Sequence, residues 1–344
     1  MQYEITNPSR LLDRHGELIQ KGYAKSLILK YRRKDVKKRK LRLKEWDYYL
    51  IYNKDFAVAL TVGSIPFSGF ISASFIDFKK AQEKTKSVFS LFPIWRVKMP
   101  ESSRVGDVIY QDSGVNVYFK HDNVERKLYM KMINFEEGSD LEVSIILKSE
   151  PKDSMVIATP FELDKKKFYY NQKIIGMRAS GEVSYKGTIY KFSPDNSFGL
   201  LDWGRGVWPY VTNWYWSAGQ GMVDDKVFGF NLGYGFGNTS AATENMIFCN
   251  GIANKLENVE FIIQKNKNDE LDYMKPWVIT SSDKRFEVDF VPIIDRNVNS
   301  SAIIVSTEQH QVFGKFTGRA VLDDGQVIEL KDFLGFAEKV ENKW

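Results

Sequence analysis

The sequence predicts an all-β protein built of antiparallel barrels or sandwiches, and three observations predict it. Apolar and polar residues alternate with period two through most of the chain, β-branched and aromatic residues are dense in those runs, and turn residues recur at short intervals. Strands this numerous, with few short helices between them, argue for meanders rather than alternating βαβ units. At 344 residues the chain is longer than one hydrophobic core usually serves, so the length alone allows two domains or one large two-layer β structure.

In order, strands are expected over 48–52, 57–62, 115–120, 128–133, 141–147, 227–232, 260–264, 286–291 and 311–316, and helices over 77–90 and 334–344. Residues 48–77 and 227–256 share a layout of strand, glycine-bearing turn, small-residue strand and apolar strand, a loose internal likeness pointing to a duplicated barrel. Gly176 to Phe192 reads as strand, Lys-Gly turn and strand, and the boundary is placed just before it, giving an N-terminal domain of residues 1–175 and a C-terminal domain of residues 176–344.

Composition narrows the function classes. Hydrophobic content of 43% and charged content of 27% are those of a globular protein, and no segment reaches the ~18 uninterrupted apolar residues of a membrane-spanning helix. The N-terminal residues Met1 to Pro8 lack the basic start and apolar core of a secretory signal, so a cytoplasmic location is expected. The single cysteine, Cys249, lies in an apolar stretch and reads as a buried structural thiol. Between Lys30 and Lys44 stand ten basic residues and one acid, Asp35, a local balance of +9 against −4 for the rest of a chain whose net charge is +5. This run reads as a solvated hairpin or as a peripheral contact for an anionic membrane. No nucleic-acid motif accompanies it, and nothing in the sequence sets the oligomeric state.

Residues of functional character concentrate between Asp202 and Asn245. Trp203, Trp208, Trp214 and Trp216 are four of the chain's eight tryptophans and fall within fourteen residues, beside Asp202, Arg205 and Tyr210. Rings flanked by glycines, with one carboxylate and one guanidinium, suit a concave site in which flat faces hold a ligand and few polar groups orient it. A tryptophan-rich core with Asp202 and Arg205 paired across a turn would use the same residues. The glycines of Asn231 to Ser240 match neither a phosphate-binding loop nor the dinucleotide fingerprint; glycines so spaced permit close packing of rings.

Alternation puts Glu244 on the face of Met246 and Phe248. A carboxylate there is paired, protonated or used, so Glu244 is either a general acid or the partner of an arginine, with Arg205 the partner expected. Asn231 and Asn245 offer amides nearby. The histidines His15, His121 and His310 lack a second ligand at metal-binding spacing, so no metal site is expected; His310 is read either as a catalytic residue or as a hydrogen-bonded strand-end histidine.

Leu201 to Tyr210, Asn231 to Gly233, Asn238 to Asn245, Asp295-Arg296, His310 to Gly314, Ala337-Glu338 and Trp344 together resemble the domain-of-unknown-function 2804 family. More distantly, Tyr169-Tyr170, Gly181 to Gly187 and Leu201 to Gly204 are similar in layout to carotenoid hydratases and related two-barrel lipocalin-like proteins. Their D-H-x-W-G signature is here reduced to Asp202-Trp203-Gly204. That resemblance implies two calycin-like β domains around pockets for apolar ligands.

The reading is a protein that binds a hydrophobic or amphipathic small molecule, a lipid or isoprenoid, with an acid-catalysed hydration, cyclisation or isomerisation in which Asp202, Glu244 or His310 acts. The rings of Trp203, Trp208, Tyr210, Trp214 and Trp216, with Arg205, Asn231 and Asn245, would hold the ligand. No cofactor is called for. The alternative is a carbohydrate-binding or glycoside-processing β protein, since tryptophans beside carboxylates also suit sugar rings.

Overall fold

Strands make up 66% of the chain, the outcome that period-two alternation dictates. The structure, a computed structural model, describes residues 2–37, 42–65, 68–91, 97–161, 164–302 and 305–343. Three short strands open it: β1 (Ser9–Arg10), β2 (Gly22–Ala24) and β3 (Leu29–Lys30), followed by a 3-10 turn over Arg33–Asp35. A meander of four long strands follows, β4 (Leu43–Tyr52), β5 (Phe56–Ile65), β6 (Ser68–Asp77) and β7 (Gln82–Leu91). Then come β8 (Val108–Gln111), β9 (Val115–His121), β10 (Arg126–Glu136), β11 (Ser139–Lys148), β12 (Met155–Phe161), β13 (Asp164–Tyr185), β14 (Thr188–Phe192) and β15 (Phe198–Val207).

After Trp208-Pro209-Tyr210 the chain enters a second sheet. Its strands are β16 (Val211–Val223), β17 (Lys226–Tyr234), β18 (Met246–Cys249), β19 (Ile252–Lys255), β20 (Val259–Ile262), β21 (Trp277–Ser281), β22 (Phe286–Ala302), β23 (Val305–Val321) and β24 (Val327–Lys343).

The strand orders reveal a shared plan. The first sheet runs β7-β6-β5-β4-β15-β13-β11-β10-β9-β8 and the second β19-β18-β17-β16-β24-β23-β22-β21-β20. In each, a four-strand meander is followed by strands that return, so that the last long strand pairs with the first strand of the meander, β15 with β4 and β24 with β16. Both sheets curl into antiparallel half-barrels. The likeness between residues 48–77 and 227–256 is one strand out of step with this plan: those segments fall in β4 to β6 and in β17 to β19, whereas the strand equivalent to β4 is β16. The boundary expected between residues 175 and 176 falls inside β13, at the point where its register with β15 shifts between Ile174 and Met177; the strand pairs with β11, β12, β14 and β15.

Three apolar clusters follow from the two half-barrels. One fills the first, through Leu60, Val117, Met130, Val143 and Trp203. One fills the second, through Phe230, Trp277, Phe290 and Phe316. The third lies between the sheets and draws on both: Tyr48, Leu50, Tyr169 and Trp208 from the first, Trp216, Phe236, Met246, Phe313 and Phe336 from the second.

Two expectations are corrected. The helix expected over 77–90 is a turn, in which Asp77 Oδ1 accepts from the amides of Lys79 and Lys80, followed by strand β7. Its lysines and glutamate are good helix formers, but β7 is the edge of the sheet, where lysine also guards against edge-to-edge pairing, and its ten-residue ladder with β6 overrides propensity. The helix expected over 334–344 is the end of β24, held in the sheet interior by β16 and β23 on its two sides.

The basic run, expected as a solvated hairpin, is only partly solvated among the described residues: Lys30, Lys34, Lys37 and Arg42 are exposed, and others are held. Asp35 pairs with Arg10 and Arg32, each at 2.9 Å; Arg33 pairs with Glu45 at 2.9 Å; and the buried Lys44 places Nζ 4.5 Å from the centroid of a Trp208 ring. Arg33 lies in the 3-10 turn and Leu43 begins β4, so folding commits part of this charge to internal contacts. Residues 38–41 lie outside the described residues.

Candidate functional site

Alternation along β15 divides the Asp-Trp-Gly-Arg segment between two environments. Trp203 and Arg205 point into the first half-barrel, where Trp203 meets Tyr31 and Tyr170 edge-on. The Arg205 guanidinium lies 4.2 Å from the Trp203 ring, 3.0 Å from Asp47 and 3.7 Å from Glu45, and donates to the carbonyls of Trp46, Gly204 and Pro100. Arg205 is thus the counter-ion of Asp47 and Glu45, not of Glu244 or Asp202, because side chains one and three positions from Asp202 must face the other way. Asp202 itself faces the second sheet.

On that inter-sheet face the shared strand plan builds two matching rows. In the first sheet Asp202 of β15 stands between Tyr48 of β4 and Lys173 of β13. In the second, Glu338 of β24 stands between Trp216 of β16 and Gln311 of β23. Each row is a carboxylate with an aromatic on the meander side and a nitrogen-bearing side chain on the other. The rows meet across the interface: Tyr48 packs edge-on to Trp216, with centroids 5.9 Å apart, and donates its hydroxyl to Gln311 Oε1 at 3.3 Å. Lys173 Nζ lies 4.0 Å from the Trp216 ring and 3.2 Å from Asp202 Oδ1.

The polar groups are compensated unequally. Asp202 is held by Lys173 and by the Asn171 amide at 2.5 Å. Among the described residues the hydrogen-bond donors to Glu338 are neutral, Trp214 Nε1 at 2.9 Å, Gln309 Nε2 at 2.9 Å and Gln311 Nε2 at 3.0 Å; burial pushes its carboxyl above the usual range against these bonds and the charges of Arg296 and Lys173. Glu244 precedes β18 on the face of Met246 and Phe248, and burial raises its carboxyl too. The charge of Asp202 adds to that rise, while Lys173, Lys255 and the Asn231 bond oppose it. Asn231 links the sets: it accepts from Trp216 Nε1 at 2.8 Å and donates to Glu244 O at 2.8 Å and Glu244 Oε2 at 3.4 Å. Gly233 makes room for this carboxylate, since a Cβ there would stand 2.7 Å from Glu244 Oε1.

Rings close one side of the cluster. The glycine-rich loop after β17 plants Phe236 against Phe161, Tyr169, Trp208 and Trp214, with centroids 4.7 to 5.4 Å away. Trp46 stacks on Tyr169 and meets Trp208 edge-on, and it can lie across β15 because residue 204 is glycine, whose Cβ would stand 2.0 Å from the ring. Trp46 and Trp214 are half-buried. Burial, with the charges of Glu244, Asp202 and Glu338, pushes the Tyr169 phenol well up.

Of the residues expected in a site, Asp202, Glu244, Trp208, Trp214, Trp216 and Asn231 come together between the sheets. Trp203 and Arg205 lie in the first half-barrel and Tyr210 is exposed. Asn245 faces away from Glu244, its Oδ1 accepting from Gly233 N and its amide donating to Glu257 O, so it fixes the segment that carries Glu244. His310 lies on the opposite face of β23 from Gln309 and Gln311, with Nδ1 2.6 Å from Asp295 Oδ2 and its ring stacked on Tyr273 at 3.8 Å.

The expected set omits Lys173, Asn171, Tyr48, Tyr169, Gln311 and Glu338. Lys173 carries the signal that marked Glu244, a charge beside the apolar pair Ile174-Ile175. Among the described residues Asn171 Oδ1 and Arg296 Nε are buried without a hydrogen-bond partner, an arrangement that a ligand or ordered water relieves.

A family model described as domain of unknown function (DUF2804) matches residues 2–344. No curated protein matches the sequence. Among solved structures, kievitone hydratase from Nectria haematococca is similar at a TM-score of 0.51 and 10% identity, over 89% of this chain and 90% of that one. A protein carrying the AttH designation, from Nitrosomonas europaea, is similar at 0.53 and 12% identity, over 92% and 96%. At such identities the likeness establishes a common fold.

Proposed function

This chain belongs to the DUF2804 family, and we propose that it binds a hydrophobic or amphipathic small molecule between its two sheets and adds or moves a proton on it, with Glu244 as the acid. The observation that carries the reading is the meeting of the Asp202 and Glu338 rows, with Glu244 beside them and a wall of rings around Phe236. Three carboxylates brought together between apolar surfaces cost stability, and a fold that needed only packing would be served at least as well by apolar residues there.

The chemistry follows from the unequal compensation. Burial favours the protonated form of Glu244, which makes it a donor. Asp202, held by Lys173 and Asn171, is placed to act as the anion. In a hydration, the Glu244 proton passes to one carbon of a C=C bond, the neighbouring carbon takes the oxygen of a water molecule, and that water returns a proton to a carboxylate. Aromatic faces steady the positive charge that forms in between. Without the water, the cation loses a proton from a neighbouring carbon to a carboxylate, giving an isomer, or is first attacked by a second double bond of the ligand and then loses the proton, giving a cyclised product. The name of kievitone hydratase, which shares the fold, supports this class of step by analogy.

The carbohydrate alternative needs open ring platforms, and Trp208 and Trp216 are only 6% and 7% exposed. The test is to extract bound small molecules from the purified protein, identify them by mass spectrometry and incubate them with fresh protein in heavy-oxygen water. Hydration predicts a product carrying the heavy oxygen, formed by the natural protein and not by Glu244→Gln. Cyclisation or isomerisation predicts a product of unchanged mass, again absent with Glu244→Gln. A protein that yields no ligand and converts nothing offered to it would count against the proposal.

A further inference from the structure

The seam between the sheets holds a second feature that this proposal does not use, a cleft of about 320 Å³ where the loop after β11 faces the start of β17 and the turn that follows β18. Its size falls at the lower end of small-molecule sites. We propose that this cleft is a separate binding site for an amphipathic anion, with a carboxylate or sulfonate head on the side of Arg178 and Lys152 and an apolar body against Ile175, Val227 and Phe248.

The walls are preformed. Asp153 N donates to Gly251 O at 3.0 Å, and Asp153 Oδ2 accepts from Ala253 N at 3.0 Å, pinning the loop to the β18–β19 hairpin. Asn250 N donates to Val227 O at 2.8 Å and Asn250 Oδ1 accepts from Val227 N at 3.0 Å, tying that hairpin to β17. The floor is set where the sheets touch. A Cβ on Gly229 would stand 2.5 Å from Ile175 Cγ2, and Gly176 N donates across the seam to Gln220 Oε1 at 2.8 Å. Such a cleft needs little ordering when a ligand enters.

Its charge is one-sided. The Arg178 guanidinium is positioned by the carbonyls of Pro194 and Asp195, by Met222 Sδ and by the Phe198 ring beneath it, and among the described residues no carboxylate forms an ion pair with it or with Lys152. The one acid on the wall, Glu150, is taken by Arg126 at 2.8 Å. Two cations beside an apolar floor select an anion with an apolar body, and a guanidinium engages such a head with paired donors.

The test is calorimetric titration of the full chain with decanoate and, in parallel, with decanol. The expected result is decanoate binding about tenfold or more tighter than decanol, weakened several-fold by Arg178→Gln and by Lys152→Gln with decanol unaffected, and abolished for both by Val227→Trp. Should Val227→Trp not fold, the two glutamine variants carry the test. Equal affinity for acid and alcohol, or decanoate binding indifferent to both glutamine variants, would overturn the inference. Glu244→Gln should leave decanoate binding unchanged. A loss there with none in Arg178→Gln would move decanoate to the carboxylate cluster, refuting this second site and leaving the proposed function standing.

Discussion

Asp202 and Glu338 occupy equivalent places in the two sheets, each on the strand that closes the half-barrel against its meander and each facing the other sheet. The equivalence extends to their neighbours, Tyr48 and Lys173 in one row and Trp216 and Gln311 in the other. The proposed site is therefore where two copies of one strand plan face each other, and its chemical asymmetry comes from what compensates each carboxylate.

The Lys173–Asp202 pair gives the first prediction. Both groups are buried at 3.2 Å, so removing one charge strands the other. Asp202→Asn should lower stability by about 3 kcal/mol. The double variant Asp202→Asn with Lys173→Met should recover most of that loss in urea unfolding without recovering ligand binding. Full recovery of binding would show that the pair only holds the fold.

Glu244 sets a pH dependence. Its folded carboxyl titrates above its ordinary 4.5, so the folded state binds the proton more tightly than the unfolded one. The stability this confers is fully present below pH 4.5 and is lost as pH rises through the folded value. Glu244→Gln should flatten the fall over that window, leaving the variant as stable as the natural protein or about 1 kcal/mol more so at pH 8. Thermal melts across the pH range read this directly. An unaltered slope would mean that Glu244 is ionised without cost.

Gly233→Ala asks whether the position of that carboxylate matters. The added methyl meets the side-chain end of Glu244 rather than backbone, so the fold should lose only about 1 kcal/mol while the carboxylate is displaced and ligand binding falls. Binding equal to that of the natural protein would contradict the placement of Glu244 in the site.

Arg205→Ala should behave in the opposite manner. It removes the guanidinium between Asp47 and Glu45 inside the first half-barrel and should cost about 3–5 kcal/mol, with any ligand effect following from unfolding. A folded Arg205→Ala protein with selectively lost binding would return Arg205 to the site.

The all-β class and the exceptional nature of Asp202 and Glu244 were legible because each leaves a local trace, period-two alternation, a dense run of tryptophans beside Asp202 or a charge on an apolar face at Glu244. The rest is set by partners distant in sequence. Nothing near residue 334 announces that β16 will claim β24, and alternation alone shows that Trp203 and Asp202 face opposite ways without saying which side holds the second sheet. Lys173 escaped because its partner Asp202 lies on another strand, and Glu338 because its donors come from two other strands, Trp214 on β16 and Gln309 and Gln311 on β23.

The most direct measurement is a crystal structure of the protein with the small molecule extracted from it. The account predicts density between the sheets in contact with Lys173, Trp216 and Glu244, with a polarisable carbon of the ligand turned toward the Glu244 carboxyl. A ligand bound only elsewhere, with the Asp202, Glu244 and Glu338 cluster closed and unchanged around its own hydrogen bonds, would contradict it.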